Sequence, residues 1–212
     1  AGRVSVSSLR PIELDDLLGR DPVELDDSGL HQLLTGQVVM VTGAGGSIGS
    51  ELCRQIARFD PAKLVLFEQS ELALYAMEEE LSTRFRGLQI APVIGDVKDA
   101  VWVNQVMAEH RPAVVFHAAA YKHVPLMENA NAWEAVRNNV LGTQVVAAAA
   151  QTHGVGKFVM ISTDKAVNPT NVMGATKRLA EMACQAMQQR QPDQQRQTNQ
   201  PTGTRFVSVR FG

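Results

Sequence analysis

Short apolar stretches alternate with segments of helical periodicity along most of the chain. The apolar stretches lie at residues 38–41, 64–67, 88–93, 113–117, 158–161 and 206–209. They are rich in Val, Ile and Phe, which is typical of strands buried on both faces. Helical patterns lie between them, at residues 47–58, 70–86, 101–109, 132–152 and 172–189. This alternation predicts an α/β fold, with helices on both faces of a parallel sheet and right-handed crossovers between strands.

Two segments fall outside the alternation. Residues 1–36 carry no strong strand pattern, and short helices are predicted at 9–18 and 25–34. We expect this part to be a lead-in segment on the outside of a domain formed by residues 37–212. Residues 188–200 are mostly polar, and seven of these thirteen residues are glutamine. This composition predicts a surface loop before the last strand.

Composition narrows the class of protein. With 212 residues, 45% of them hydrophobic, the chain can bury one substantial core. Its net charge of -2 gives no basic excess for nucleic acid. Cys53 and Cys184 lie in helical patterns, so we expect packing roles in a reduced, cytoplasmic setting. There is no signal peptide and no apolar run long enough for a membrane span, and we expect no metal site.

The first strand leads into a glycine-rich turn, in the sequence VVMVTGAGGSIGSEL at residues 38–52. Gly43 suits a tight turn off the strand, Gly46 a close approach of backbone to a pyrophosphate, and Gly49 close packing of helix on strand. Ser47 and Ile48 then open a helix, whose N-terminus favours phosphate. The strand before and the helix after this turn predict a Rossmann-type dinucleotide-binding sheet with strand order 3-2-1-4-5-6.

Acidic residues follow the next two strands. Glu68 ends the second strand, 25 positions after Gly43, where a carboxylate accepts both hydroxyls of an adenosine ribose and repels a 2′-phosphate. This position predicts NAD rather than NADP as the cofactor. Asp96 and Val97 follow the third strand, where an adenine would lie. Asp96 either accepts from the exocyclic amine or caps the next helix.

The fourth strand ends in His117, which we interpret as a buried core histidine. Ala118 and the alanines after it permit close approach of a cofactor. Lys122 and His123 follow at the carboxyl end of the strand, where open α/β sheets bind ligands. We expect Lys122 to contact cofactor and substrate, and His123 to contact substrate. Asn139, in a later helical pattern, either bridges helix and site loop through water or faces solvent.

The densest polar cluster follows the fifth strand, in the sequence STDKAVNPTNVMGATKR at residues 162–178. Thr163, Asp164 and Lys165 lie at the strand end. Met173 and Lys177 are four positions apart, so they share a helix face. A Ser or Thr at a strand end, followed by a helical pair that ends in Lys, resembles the catalytic pattern of short-chain dehydrogenases/reductases. That pattern has Tyr where this chain has Met173, and a thioether has no proton to exchange.

The resemblance is closer to one family within that superfamily. Residues 42–51, 118–128 and above all 162–178 resemble the nucleotide-sugar 4,6-dehydratases of bacterial polysaccharide biosynthesis, whose larger, membrane-anchored members carry this Met. The resemblance implies NAD as cofactor, UDP-N-acetylglucosamine as substrate and a 4-keto-6-deoxy sugar as product. It also implies a C-terminal sugar-binding part and N-terminal membrane helices, both absent from these residues. We therefore expect an excised core that binds NAD but turns over substrate poorly, from a homo-oligomer at the inner face of the bacterial membrane.

The resemblance also implies roles for the polar cluster. Asp164 would be the acid that protonates the departing 6-hydroxyl, and Lys165 the base that takes the proton from C5. We expect burial to help make Lys165 neutral. Lys177 would bind the nicotinamide ribose, and Thr163 would orient the 4-hydroxyl. The group that takes the 4-hydroxyl proton in place of a tyrosine stays open between Asp164, Lys165 and a water.

Two other functions fit parts of the pattern. A sugar-nucleotide epimerase or reductase uses the same cofactor and the same crevice. A non-catalytic NAD-binding module would explain why Met173 replaces the usual tyrosine. The presence of Asp164, Lys165 and Lys177 argues against the second alternative, because a module that only binds NAD does not need all three.

Overall fold

The computed structural model describes residues 27–190 and 203–212. The predicted helix over 9–18 and most of the predicted loop over 188–200 lie outside these residues. Helix α1, Asp27–Leu34, precedes the sheet and falls within the helix predicted at 25–34. The strands of the described residues are β1 Val38–Thr42, β2 Lys63–Glu68, β3 Ile90–Ile94, β4 Val114–His117, β5 Lys157–Thr163 and β6 Arg205–Phe211.

Every strand pairing in the described part of the chain is parallel. The strand order is β3-β2-β1-β4-β5-β6, which confirms the predicted order. Strands β2 and β3 are added on one side of β1, and β4, β5 and β6 on the other, so the strand order reverses at β1 and β4. A crevice opens at the carboxyl ends of these two strands, as is usual for open α/β sheets.

The helices cover both faces of this sheet. They are α2 Ser47–Ala57, α3 Glu71–Arg84, α4 Ala100–His110, α5 Val124–Met127, α6 Ala132–Ala135, α7 Thr143–Thr152 and α8 Val172–Gln189. Alternate residues of each central strand face opposite sides. Val39 and Val41 pack with α2 and α3, whereas Met40 packs in the core beneath α4, α7 and α8. This alternation explains why the central strands are apolar throughout.

Two predictions about the elements need correction. The helix predicted over 132–152 is interrupted by a π-helical segment, Val136–Gly142, between α6 and α7. Wider π turns of this kind are frequent at functional sites, and Asn138 of this segment lines the crevice. Strand β6 is not buried on both faces. It lies at one edge of the sheet, and its residues are intermediate or exposed. Strand β3 lies at the other edge, and Val93 alone of its residues is buried, so the same prediction is wrong there.

Candidate active site

The turn between β1 and α2 has the geometry that its glycines predict. Gly43 has a φ of +68°, which L side chains rarely adopt, and a Cβ here would lie 2.7 Å from the backbone of Ala119. A Cβ on Gly49 would collide with the Gly43 carbonyl oxygen, so helix and turn pack as predicted. Gly46 caps α2 without a side-chain hydrogen bond, and the first turn of α2 holds no acidic residue. This helix N-terminus therefore favours an anion.

A first cavity of about 320 Å³ lies beside this turn at the ends of β2, β3 and β4. Glu68 lines it and is 8% exposed. The Glu68 carboxylate accepts hydrogen bonds from the backbone N–H of Gly45 at 3.1 Å and of Ser70 at 3.0 Å. These bonds fix the carboxylate at the cavity wall, and each oxygen keeps a lone pair for a ligand hydroxyl. Gly45, in the same turn, was not among the predicted site residues. A Cβ there would lie 2.5 Å from that of Ala73.

At the far end of the first cavity, after β3, one of the two predicted contact residues is absent from the wall. Val97 lines it, but Asp96 is not among its lining residues. Asp96 instead pairs with the ammonium of Lys98 at 2.7 Å. Burial opposes the charged form of Asp96, yet hydrogen bonds from Lys98 outweigh it and lower the pKa of this carboxyl. Asp96 does not cap the next helix either, because Asp99 accepts the hydrogen bond from the N–H of Trp102.

Asn138, which the sequence analysis passed over, lines the cavity at this end and is 4% exposed. Its Nδ2 donates to Oδ1 of Asn139 at 3.4 Å, a long hydrogen bond. That contact engages the amide nitrogen of Asn138, whose side chain forms part of the cavity wall. The adjacent pair Asn138-Asn139 was the available sequence signal.

A second cavity, of about 300 Å³, continues from the first across the glycine turn. Both cavities are lined by Gly46, Ala118 and Ala120. The second cavity brings together predicted site residues from four parts of the chain, namely Ser47, Ile48, Gly49, Lys122, Thr163, Lys165, Met173 and Lys177. Phe211, at the end of β6, also lines it and was not predicted.

Thr163, Asp164 and Lys165 form a hydrogen-bonded group at the end of β5. Oδ1 of Asp164 accepts from the Thr163 hydroxyl at 2.9 Å and from Nζ of Lys165 at 3.0 Å. The hydrogen bond from Lys165, followed by that from Thr163, lowers the pKa of Asp164. The expected burial of Lys165 is absent, since its side chain is 50% exposed. Asp164 and Lys165 therefore form an exposed ion pair between a carboxylate and an ammonium.

Lys177 differs from Lys165 because it is buried, with 5% exposed. Its Nζ donates to the carbonyl of Ile161 at 2.8 Å. Burial lowers the pKa of Lys177 to about 8, although Glu181 and Cys184 act in the opposite direction. Met173, one turn earlier on α8, is 4% exposed and packs with Met127 and Ala135. Its thioether therefore gives the cavity an apolar wall beside a buried amine.

The loop after β4 joins the two sides of the crevice. Nζ of Lys122 donates to the Ser47 hydroxyl at 3.1 Å, across the glycine turn. His123 is exposed and is not among the residues that line the two cavities.

Asn139 neither faces solvent nor needs a bridging water. Its amide bonds both the N–H and the carbonyl of Tyr121, at 2.8 and 3.0 Å, and donates to Thr176 at 3.0 Å. It thus ties the β4 loop directly to α8.

His117 is a fully buried core residue, as expected. Its Nδ1 lies 2.7 Å from the Thr42 hydroxyl and its Nε2 lies 2.9 Å from that of Thr143. Burial, with a smaller contribution from Lys177, lowers the pKa of His117 to about 3. The neutral imidazole of His117 thus lies between two hydroxyl groups in the core behind the site, where it has a structural role.

The strand order, the glycine turn and the crevice define a Rossmann-type fold of the kind that binds dinucleotides. The chain belongs to a polysaccharide biosynthesis protein family, whose pattern matches residues 39–212. It is 51% identical over 213 residues to the capsular polysaccharide biosynthesis protein CapD of Staphylococcus aureus, covering 100% of this chain and 34% of that protein. The chain thus spans about a third of this relative's length.

Two kinds of enzyme are more distant relatives. A UDP-N-acetylglucosamine 4,6-dehydratase (inverting) of Campylobacter jejuni is 35% identical over 146 residues, 68% of this chain and 42% of that protein. A UDP-glucose 4-epimerase of Rickettsia canadensis is 35% identical over 153 residues, 70% of this chain and 43% of that protein.

Solved structures share the fold. Pen from Bacillus thuringiensis superposes with a TM-score of 0.72 at 32% identity, over 84% of this chain and 51% of that chain. The UDP-glucose 4-epimerase of Brucella ovis, in complex with NAD, has a TM-score of 0.64 at 23% identity, over 82% of this chain and 51% of that chain. Within residues 27–190 and 203–212, no helix has the length and apolar character that crossing a membrane requires.

Proposed function

We propose that this chain forms the NAD-binding and catalytic part of a UDP-N-acetylglucosamine 4,6-dehydratase of polysaccharide biosynthesis. One observation carries the proposal. Thr163, Lys165, Met173 and Lys177 line a cavity that continues into the crevice at the glycine turn. The relatives in polysaccharide biosynthesis and the dehydratase of Campylobacter jejuni support it.

The crevice suits NAD. The turn at Gly43 and Gly46 leaves room for a pyrophosphate, and the fixed Glu68 carboxylate suits the adenosine ribose. We assign the exocyclic amine of adenine to the side-chain carbonyl of Asn138, because Asn138 lines this end of the cavity, while Asp96 stays a predicted contact that would have to turn from Lys98. The buried ammonium of Lys177 would donate to the nicotinamide ribose.

The proposed reaction removes one water from the sugar. NAD, when bound in the crevice, would supply the hydride acceptor for C4 and the hydride donor for C6. Oxidation at C4 also releases the 4-hydroxyl proton, whose acceptor stays open between Asp164, Lys165 and a water. The 4-ketone acidifies the proton on C5, which Lys165 would take while Asp164 protonates the departing 6-hydroxyl. When the hydride reaches C6, Lys165 would return a proton to C5, and the proton from the 4-hydroxyl balances the one that left with the water. These roles need a neutral amine and a neutral carboxyl, which hold the same number of protons as the observed ion pair. At 3.0 Å, moving one proton from Lys165 to Asp164 interconverts the two states.

A 4-epimerase is the second candidate, because such an enzyme matches this chain at the same identity as the dehydratase. The adjacent acid and base at the end of β5 favour the dehydratase. An epimerase inverts C4 and has no leaving hydroxyl to protonate.

Mass spectrometry of UDP-N-acetylglucosamine incubated with the protein at its natural length tests the proposal. A product lighter by one water supports dehydration, whereas an unchanged mass with inverted C4 identifies an epimerase. NAD binding with neither product identifies a binding module. The proposed homo-oligomer and its attachment to the inner face of the membrane are tested separately, by light scattering and cell fractionation.

A further inference from the structure

A buried carboxylate lies behind the second cavity. Glu181, on α8, is 1% exposed and accepts hydrogen bonds from three side chains. The Ser162 hydroxyl donates to it at 2.6 Å. Arg210 donates through Nε and an Nη atom at 2.8 and 2.6 Å, and Arg178 donates at 3.1 Å. A buried carboxylate this fully bonded has a fixed position.

The partners of Glu181 come from separate elements. Ser162 lies on β5 directly before Thr163, and Arg210 lies opposite it on β6, directly before Phe211. Thr163 and Phe211 both line the second cavity. Lys177 adds a further connection, because it bonds the carbonyl of Ile161 on the same strand. Consecutive residues of β5 are thus tied to consecutive turns of α8, immediately behind the predicted acid and base.

Glu181 also lies one turn from Lys177, on the same face of α8. The other ionisable groups around Lys177 are mostly cationic or neutral. Lys165 and Lys122 share its cavity, Asp164 is already paired with Lys165, and neutral His117 and the Cys184 thiol lie below. Glu181 is the buried carboxylate on the Lys177 face of α8, and its charge is shared between Lys177 and the two arginines that bond it. We propose that Glu181 is a positioning residue, which acts as the internal counter-charge of Lys177 and joins β5 and β6 to α8.

The electrostatics agree with this geometry. Burial alone would raise the pKa of Glu181, but hydrogen bonds from Arg210, Ser162 and Arg178 outweigh it and lower the pKa to about 2. The carboxylate therefore stays charged at every pH at which Lys177 titrates. Its charge raises the pKa of Lys177 against the larger effect of burial. Loss of the Glu181 charge would make Lys177 neutral at a lower pH.

The test follows Lys177 directly, by NMR of the chain labelled with ¹³C at the lysine ε-carbons, without cofactor. Lys177→Arg assigns the signal. In Glu181→Gln we expect the Lys177 midpoint to fall by about one pH unit or more, the usual effect of one nearby charge. In Arg210→Gln the carboxylate loses its main partner and acts more strongly on Lys177, so the midpoint rises. A structural role alone would not move the two midpoints in opposite directions.

Arg178→Gln is the matched control, because it removes one arginine from the same carboxylate without untying β6 from α8. We expect its Lys177 midpoint to stay unchanged or rise slightly. An unchanged midpoint in Glu181→Gln overturns the proposal. If that variant does not fold, Arg210→Gln decides, and a midpoint that is unchanged or lowered contradicts the proposal.

This inference rests on the proposed function only for its consequence, that NAD affinity weakens at a lower pH in Glu181→Gln. Calorimetry across pH measures that consequence. If the wild-type chain fails to bind NAD, the proposed function fails while the NMR result stands. If NAD binds and the Lys177 titration midpoint is the same in Glu181→Gln as in the wild type, the inference fails and the proposed function stands.

Discussion

Nζ of Lys165 lies 3.0 Å from Oδ1 of Asp164, at the open end of β5. The two side chains are about half exposed, at 50% and 56%, so the ion pair itself adds little to folding stability. In the proposed function its value is chemical, because the contact holds the proposed acid, Asp164, beside the proposed base, Lys165. Lys165 lines the second cavity, whereas Asp164 is not among its lining residues. Substitutions here should therefore change turnover much more than stability.

The first prediction concerns this pair. Asp164→Asn and Lys165→Ala, in the protein at its natural length, should each lower the dehydration rate on the order of 10²–10⁴-fold, the usual effect of losing a positioned proton-transfer group. NAD affinity should stay at the wild-type value. Lys157→Ala, at the opposite end of β5, is the control and should keep full turnover. Wild-type rates in either site variant would reject the assigned roles.

Cofactor choice provides the second prediction. The chain should bind NAD⁺ more tightly than NADP⁺ in calorimetry, because the fixed Glu68 carboxylate repels a 2′-phosphate. Glu68→Ala should weaken NAD⁺ binding roughly tenfold or more, as expected for a lost hydrogen bond to a charged group. The exposed Glu71, at the start of α3, supplies the matched control, Glu71→Ala. Tighter binding of NADP⁺ by the wild-type chain would refute the assignment.

Met173 is the subject of the third prediction. Met173→Tyr should give no large gain in activity, because the side chain is buried against Met127 and Ala135 and a phenol overfills that space. Overpacking of this kind costs about 1–3 kcal/mol of stability. Met173→Leu conserves volume and should behave like the wild type in rate and melting temperature. A large increase in rate for Met173→Tyr would show that Met173 is merely a lost tyrosine.

The fourth prediction links His117 to acid stability. Its pKa falls from 6.5 to about 3 on folding, so below pH 6.5 the unfolded chain takes up a proton that the folded chain refuses. Stability from this group is complete above pH 6.5 and is lost as the pH falls toward 3, by up to about 1.4 kcal/mol per pH unit. Urea unfolding across this range measures it. His117→Gln should flatten the slope, and His123→Gln, at an exposed position, should leave it unchanged.

The sequence was sufficient for the sheet order and for most of the crevice. Both follow from local signals, such as the apolar strands, the glycine turn and the helical spacing of Met173 and Lys177. Strands β3 and β6 were misjudged as buried on both faces because an apolar run does not reveal that its strand lies at a sheet edge.

The remaining differences depend on side chains that compete for one partner. Asp96 was placed beside adenine from its position after β3, but Lys98 two residues later takes its carboxylate. Asn138 and Asn139 lie in a π-helical segment, and ideal helical periodicity does not predict which of the two faces the cavity. The exposure of Lys165 depends on how the loop after β5 leaves the sheet, which no local pattern specifies.

The transfer of hydrogen within the sugar tests the central claim most directly. UDP-N-acetylglucosamine carrying deuterium at C4 should be incubated with the protein at its natural length, and the product analysed by mass spectrometry and NMR. The proposed dehydratase predicts loss of one water and recovery of the deuterium at C6, because the hydride removed from C4 returns to that carbon. A product that retains its water and carries the deuterium at an inverted C4 would contradict the proposal and establish an epimerase.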